Sequence, residues 1–137
     1  MALETNELYA ETTRDEGPQI RPYDAGVERV TLSGGTAEEL AVGTAMARNS
    51  STGFWVPAVF GGGNETAIIR AFVYPRPIQR NAGSGEQIES LMLRGEVLAA
   101  DVPLHGNSQA NMDTMLKAIY VTNDITNLDV RGLDGAK

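Results

Sequence analysis

The sequence predicts a mainly β fold: a small β-sandwich or barrel-like domain with one short α-helix and an extended N-terminal arm. Three observations predict it. Fifteen glycines and six prolines among 137 residues cut the chain into short apolar runs, the texture of many turns and short strands. A single stretch, Ser108 to Ala118, shifts to helical spacing. Residues 1–26 hold few apolar side chains, so they cannot bury enough area to offset their ordering entropy. The division that follows is an arm over 1–26, a β-rich body over 27–132 and a polar tail over 133–137.

The elements follow from local chemistry. Gly17-Pro18 and Pro22 interrupt any regular structure in the arm. Val27 to Leu32 reads as a strand, ended by Ser33-Gly34-Gly35. Leu40 to Ala47 is a second strand. The turn cluster Asn49 to Gly53 joins it to Phe54-Trp55-Val56-Pro57, which together make a hairpin. Pro57 cannot donate to a ladder, so it marks an edge or an end. Thr66 to Tyr74 is rich in β-branched and aromatic residues and reads as one long strand, stopped by Pro75-Arg76-Pro77. Arg80 to Glu86 is a loop. Ile88 to Val102 reads as a bulged strand or two short strands split at Gly95. Met112, Met115, Leu116 and Ile119 form one helical stripe, with Ser108 or Asn111 as cap and Asp113 in the first turn. Ile125, Leu128 and Val130 suggest a closing strand.

A chain of this length makes one domain and buries roughly two-thirds of its unfolded surface. It has no cysteine, which excludes disulfides and thiolate metal sites. The net charge is −7. An acidic surface is repelled by phosphate backbones and anionic lipid, so neither nucleic acid nor a membrane is expected as a partner. No apolar run approaches the roughly 20 residues of a membrane span, and the opening glutamates do not suit a secretory leader. The acidity is concentrated: residues 1–30 carry Glu4, Glu7, Glu11, Asp15, Glu16, Asp24 and Glu28 against Arg14, Arg21 and Arg29.

No constellation for catalysis, cofactor or metal binding emerges, and the expectation is a chain that is not an enzyme. The one histidine, His105, has no nucleophile, acid or second ligand near it in sequence, so it reads as a surface-loop residue. Glu38-Glu39 reads as a solvated pair. The glycine runs 61–63 and 83–85 lack the Lys and Ser/Thr of a phosphate loop and read as turns. Arg70, Arg76, Arg80 and Arg94 could form a basic rim, although a solvated face is the plainer account. Trp55, Phe54, Phe72 and Tyr74 are the bulky aromatics, expected in the core or in a subunit interface.

The stretch from Leu32-Ser33-Gly34-Gly35 through Val102 resembles the lambda-type head-decoration proteins of tailed phages. The residues that carry the resemblance are Ala41-Val42-Gly43-Thr44, then Ser51 to Pro57 turning into an aromatic. The apolar Ala67 to Val73 follows, and then the apolar-Arg-Gly-apolar run Leu91 to Val97. A helix over Met112 to Tyr120 and a strand over Ile125 to Gly132 complete the order. The resemblance implies a β-tulip-type decoration domain that binds the outer surface of an expanded phage capsid as homotrimers, at three-fold and quasi-three-fold positions. It also implies an arm lying along the major capsid protein, with Leu3, Leu8, Tyr9, Ile20 and Tyr23 as anchors, and a trimer interface holding Trp55, Phe72 and Tyr74. The alternatives are another phage structural component (a tail or fibre protein) and a small β-barrel ligand-binding module.

Overall fold

Turn-rich, glycine-punctuated sequence has become a barrel backed by a helix in the computed structural model, which describes residues 19–83, 85–121 and 127–133. The strands are β1 (Ile20–Pro22), β2 (Val27–Ser33), β3 (Glu38–Leu40), β4 (Ala45–Arg48), β5 (Trp55–Pro57), β6 (Ala71–Val73), β7 (Ile78–Arg80), β8 (Glu86–Met92), β9 (Arg94–Leu98) and β10 (Asn127–Arg131). A 3-10 turn (Ala99–Asp101) and helix α1 (Gln109–Val121) lie between β9 and β10. Strands β2, β5, β4, β6 and β8 close a barrel in that order, β9 is the middle strand of a sheet between β1 and β10, and β3 pairs with β7 in a separate ribbon.

One two-stranded ribbon joins the barrel to the sheet. Ile20 pairs with Val97 and Pro22 with Gly95, and after a short loop the pairing resumes from Val27–Met92 to Ser33–Glu86. At the crossover the Gly26 carbonyl accepts from the backbone N–H of Leu93 at 2.7 Å and of Arg94 at 3.3 Å. Two glycines make this approach possible. A Cβ on Gly26 would collide with the Arg94 carbonyl and lie 2.7 Å from that of Tyr23; one on Gly95 would lie 2.8 Å from Pro22 Cα.

Side-chain alternation then builds two cores. Leu32, Met46, Trp55, Ala71, Val73 and Leu91 fill the barrel, with Leu40 and Ile78 of the β3–β7 ribbon packed on them. The opposite faces of the same strands present Ala45, Ala47, Phe72 and Met92 to Val97, Leu128 and Val130 of the sheet and to Met112, Met115, Leu116 and Ile119 of α1. The helical stripe is therefore as expected. Ser108 caps it, its Oγ accepting from Asn111 N–H at 3.1 Å, while Asp113 falls in the second turn and accepts from Gln109 Nε2 at 2.9 Å.

Several expectations need correction. The arm does not extend to residue 26: Ile20 packs on the helix-side core and β1 is the edge of the chain's own sheet, because its unpaired backbone groups find β9 at hand. Leu133, assigned to the tail, also packs on that core. Leu40 to Ala47 is broken at Thr44, whose N–H and hydroxyl both bond the Ala41 carbonyl, at 3.1 and 2.7 Å. Only Ala71–Val73 of the long Thr66–Tyr74 run is strand; successive turns from Thr66 to Ile68 use the backbone groups a ladder would need. The break after β8 falls at Leu93, and Gly95 lies inside β9.

The crossover predicts a sharp contrast among glycine variants. Gly26→Ala and Gly95→Ala should each lower the unfolding free energy by roughly 3 kcal/mol or more. Gly63→Ala, whose added Cβ would meet nothing within 4 Å, should change it by less than about 0.5 kcal/mol. Urea denaturation of the three variants checks this.

Candidate functional site: an apolar knob, a charged clasp and a basic groove

The loop after β5 presents the first candidate feature. Val59 and Phe60 are 49% and 44% exposed, although the loop beneath them is tightly tied. Val59 N–H donates to the Thr66 carbonyl at 3.0 Å and Gly62 N–H to the Val59 carbonyl at 3.0 Å. Asn107 braces the loop from the other side: its Oδ1 accepts from Phe60 N–H at 3.0 Å, and its Nδ2 donates to the carbonyls of Ala58 and Leu104 at 3.2 and 2.9 Å. The result is an ordered backbone that holds two apolar side chains out in water. Because the loop is already fixed, covering them would cost little further ordering entropy.

Two residues before Asn107 lies a charged cluster that spans distant parts of the chain. His105 Nε2 is 3.0 Å from Glu38 Oε1, and Arg80 Nη1 donates to Glu38 Oε2 at 2.9 Å. Arg80 also donates through Nε and Nη2 to the carbonyls of Ser33 and Gly34. Because Glu38 accepts from His105, Nε2 carries the proton in the neutral ring, and Nδ1 is buried without a hydrogen-bonding partner among the described residues. Burial pushes the Glu38 carboxyl up, but hydrogen bonds from Arg80 and His105 outweigh it and hold the group below its ordinary value of 4.5. An imidazole and a carboxylate in contact have the makings of acid–base chemistry. Here the ring nitrogen not spent on Glu38 is buried, and the pair ties the β3–β7 ribbon to the 103–107 loop. His105 does lie in a loop and Glu39 is exposed, but Glu38 is not the solvated residue expected from sequence: it is half-buried and bonded to Arg80 and His105.

The arginines sort in an equally informative way. Arg70 pairs with Glu65, Arg80 with Glu38 and Arg94 with Glu28, so the expected basic rim is largely neutralised. Arg21 and Arg131 both meet Glu96. The Arg29 and Arg76 guanidinium groups make no ion pair or hydrogen bond among the described residues. Both line a groove of about 320 Å³ with Pro75, Pro77, Ile88 and Ser90.

The sequence-predicted anchors fare unevenly. Leu3, Leu8 and Tyr9 lie outside the described residues. Ile20 belongs to the core as noted. Tyr23 is exposed and its hydroxyl donates to the Asp129 carboxylate. That bond, then burial and the negative charges of Asp129 and Glu96, push Tyr23 up to about 12 against the opposing effect of Arg21. Phe72 is 0% and Trp55 7% exposed; each is spent inside its own chain and cannot form a trimer interface, leaving only the half-buried Tyr74 of the three. Among the described residues, no group of three or more His, Asp or Glu could hold a metal, and no helix is long and apolar enough to cross a membrane. Compared with known proteins, the chain matches no family model and no curated protein.

The clasp carries a pH signature. Its folded-state carboxyl titrates below the unfolded one, so its stabilisation is complete above 4.5 and is lost as pH falls through the lower folded value. Glu38→Gln is expected to cost roughly 1–3 kcal/mol at neutral pH and to flatten the acid-side decline of Tm, measured by thermal melts across acid to neutral pH.

Proposed function

We propose that this chain is a structural virion protein that decorates and stabilises an expanded phage capsid. It binds as homotrimers at three-fold and quasi-three-fold sites on the major capsid protein. The observation that carries this reading is the apolar knob Val59–Phe60, held by a pinned loop on a body whose two cores are already complete. A half-exposed phenylalanine contributes little to its own fold, and aromatic side chains on rigid supports are the usual anchors of protein interfaces. The resemblance adds support. Of the residues that carry it, Trp55 to Pro57 form β5, Ala71 to Val73 form β6, Leu91 to Val97 run from β8 across the ribbon crossover into β9, and Met112 to Tyr120 lie in α1.

The physical task of such a protein is to resist separation of neighbouring capsomers. Burying the exposed halves of Val59 and Phe60 together supplies roughly 1.5–3 kcal/mol, too little alone. Three knobs on one trimer gain avidity of roughly a hundred-fold or more, and the trimer bridges the subunits it touches. The barrel lumen is filled by Leu32, Met46, Ala71 and Leu91, each essentially without exposure, which disfavours the reading as a barrel that holds a ligand inside.

Mixing the purified protein with undecorated expanded heads and imaging them tests the reading. The wild-type chain should bind in clusters of three. Phe60→Ala combined with Val59→Ser should leave the melting temperature nearly unchanged and weaken head binding by at least about tenfold, the loss expected from more than 1.4 kcal/mol of burial per knob. Binding of the double variant equal to wild type, or no binding by the wild type, would overturn it.

A further inference from the structure

In a chain of net charge −7, the groove on the outer wall of β2 and β8 stands out as a place where positive charge is left unspent. Arg29 and Ser90 face each other across the β2–β8 pair, as do Thr31 and Ile88, so these side chains share the outer face of the barrel. Pro75, Arg76 and Pro77 form the rim beside them. The one carboxylate that lines the groove, Glu89, accepts from Gln87 Nε2 at 2.8 Å. Ile88 is 60% exposed, an apolar residue on a wall with no described element packed over it. The groove thus offers two guanidinium groups without an ion-pair partner among the described residues, together with apolar lining from Ile88, Pro75 and Pro77.

The complementary chemistry is in the chain itself. Residues 1–18 carry Glu4, Glu7, Glu11, Asp15 and Glu16 against Arg14 alone, with Leu3, Leu8 and Tyr9 interspersed. We infer that the Arg29–Arg76 groove receives this acidic leader from a second copy of the chain. Guanidinium groups bind carboxylates in a planar, often two-pronged geometry, and the exposed Ile88 and rim prolines give the leader's apolar residues a surface to cover.

Direction decides between a second copy and the chain's own leader. The leader joins the body at Gln19, whose N–H donates to Asp101 Oδ2 at 2.7 Å and whose carbonyl accepts from Leu98 N–H at 3.1 Å. β1 runs antiparallel to β9, from Ile20 beside Val97 to Pro22 beside Gly95. A leader that continues β1 backwards therefore leaves beyond Leu98, away from Ile88 and the groove. The chain's own groove lies ten residues back along the ribbon, roughly 33 Å at strand spacing, and reaching it requires a full reversal. The inference rests on the reading of the chain as a self-associating shell protein, and it names the surfaces that link one copy to the next.

The absence of cysteine makes a direct test available. Copies carrying Ser90→Cys are mixed with differently tagged copies carrying Glu7→Cys, Glu11→Cys or Asp15→Cys in turn, under mild oxidation. At least one leader position should give mixed disulfides several-fold above the statistical share. The excess should fall as ionic strength rises and vanish when the Ser90→Cys copy also carries Arg29→Glu and Arg76→Glu. A statistical mixture at all three positions would overturn the inference. So would a disulfide within one chain when both cysteines are placed on the same copy, since the leader would then occupy its own groove. Head binding by the wild-type chain is read separately. Mixed disulfides without head binding would overturn the decoration reading alone, and head binding with only statistical disulfides would overturn the groove alone.

Discussion

The close passage of two backbones at Gly26 and Gly95 is the constraint on which the remainder of the structure depends. On one side of it β2 and β8 belong to the barrel; on the other β1 and β9 belong to the helix-backed sheet. Hydrogen bonds from Leu93 and Arg94 to the Gly26 carbonyl hold the ribbon together where the regular ladder is interrupted. A methyl group at either glycine would push the strands apart and uncouple the two halves. Arg94 reinforces the join, reaching the Ala25 carbonyl and the Glu28 carboxylate.

Because the ribbon changes layers, the barrel wall formed by β4 and β6 is covered on both sides. Strand β6 is buried at all three positions, with Ala71 and Val73 turned inward and Phe72 turned toward α1. Alanines at 45 and 47 leave room for the helix to approach. Such a wall has no face left for a partner. Among the described residues, what the molecule can offer to other chains comes from its loops and from the wall on the far side, where β2 and β8 carry Arg29, Thr31, Ile88 and Ser90.

Much of this was legible in the sequence wherever the determining contacts are local. The spacing of Met112, Met115, Leu116 and Ile119 and the cap at Ser108 specify the helix without reference to anything else. The hairpin could be read because Asn49 makes its own turn, its side chain accepting from Ser51 and Thr52 N–H. The three-residue strands β1, β3 and β7 could not be read, since each is defined by a partner 38 to 77 residues away and by no pattern of its own. Thr66 to Arg70 has the composition of a strand, but turns take up the backbone N–H groups of Thr66 and Ile68. The aromatic residues misled for a related reason: burial between two layers of one chain and burial between two chains demand the same side chains. The Glu38–His105 contact spans 67 residues, and neither residue carries a local mark of the other. Arg76 did stand among the arginines of the supposed basic rim; what sequence could not say is that its companions would be neutralised while Arg29 would not.

The hinge-like economy of the 103–107 loop has one more consequence. His105 sits at φ 46, a left-handed backbone that a residue other than glycine adopts at some cost, and Glu38 is what restrains its side chain. Asn107, two positions on, is what sets the posture of Phe60. The contact that answers to acid and the side chain that fixes the exposed ring thus lie two positions apart on one short loop, at His105 and Asn107.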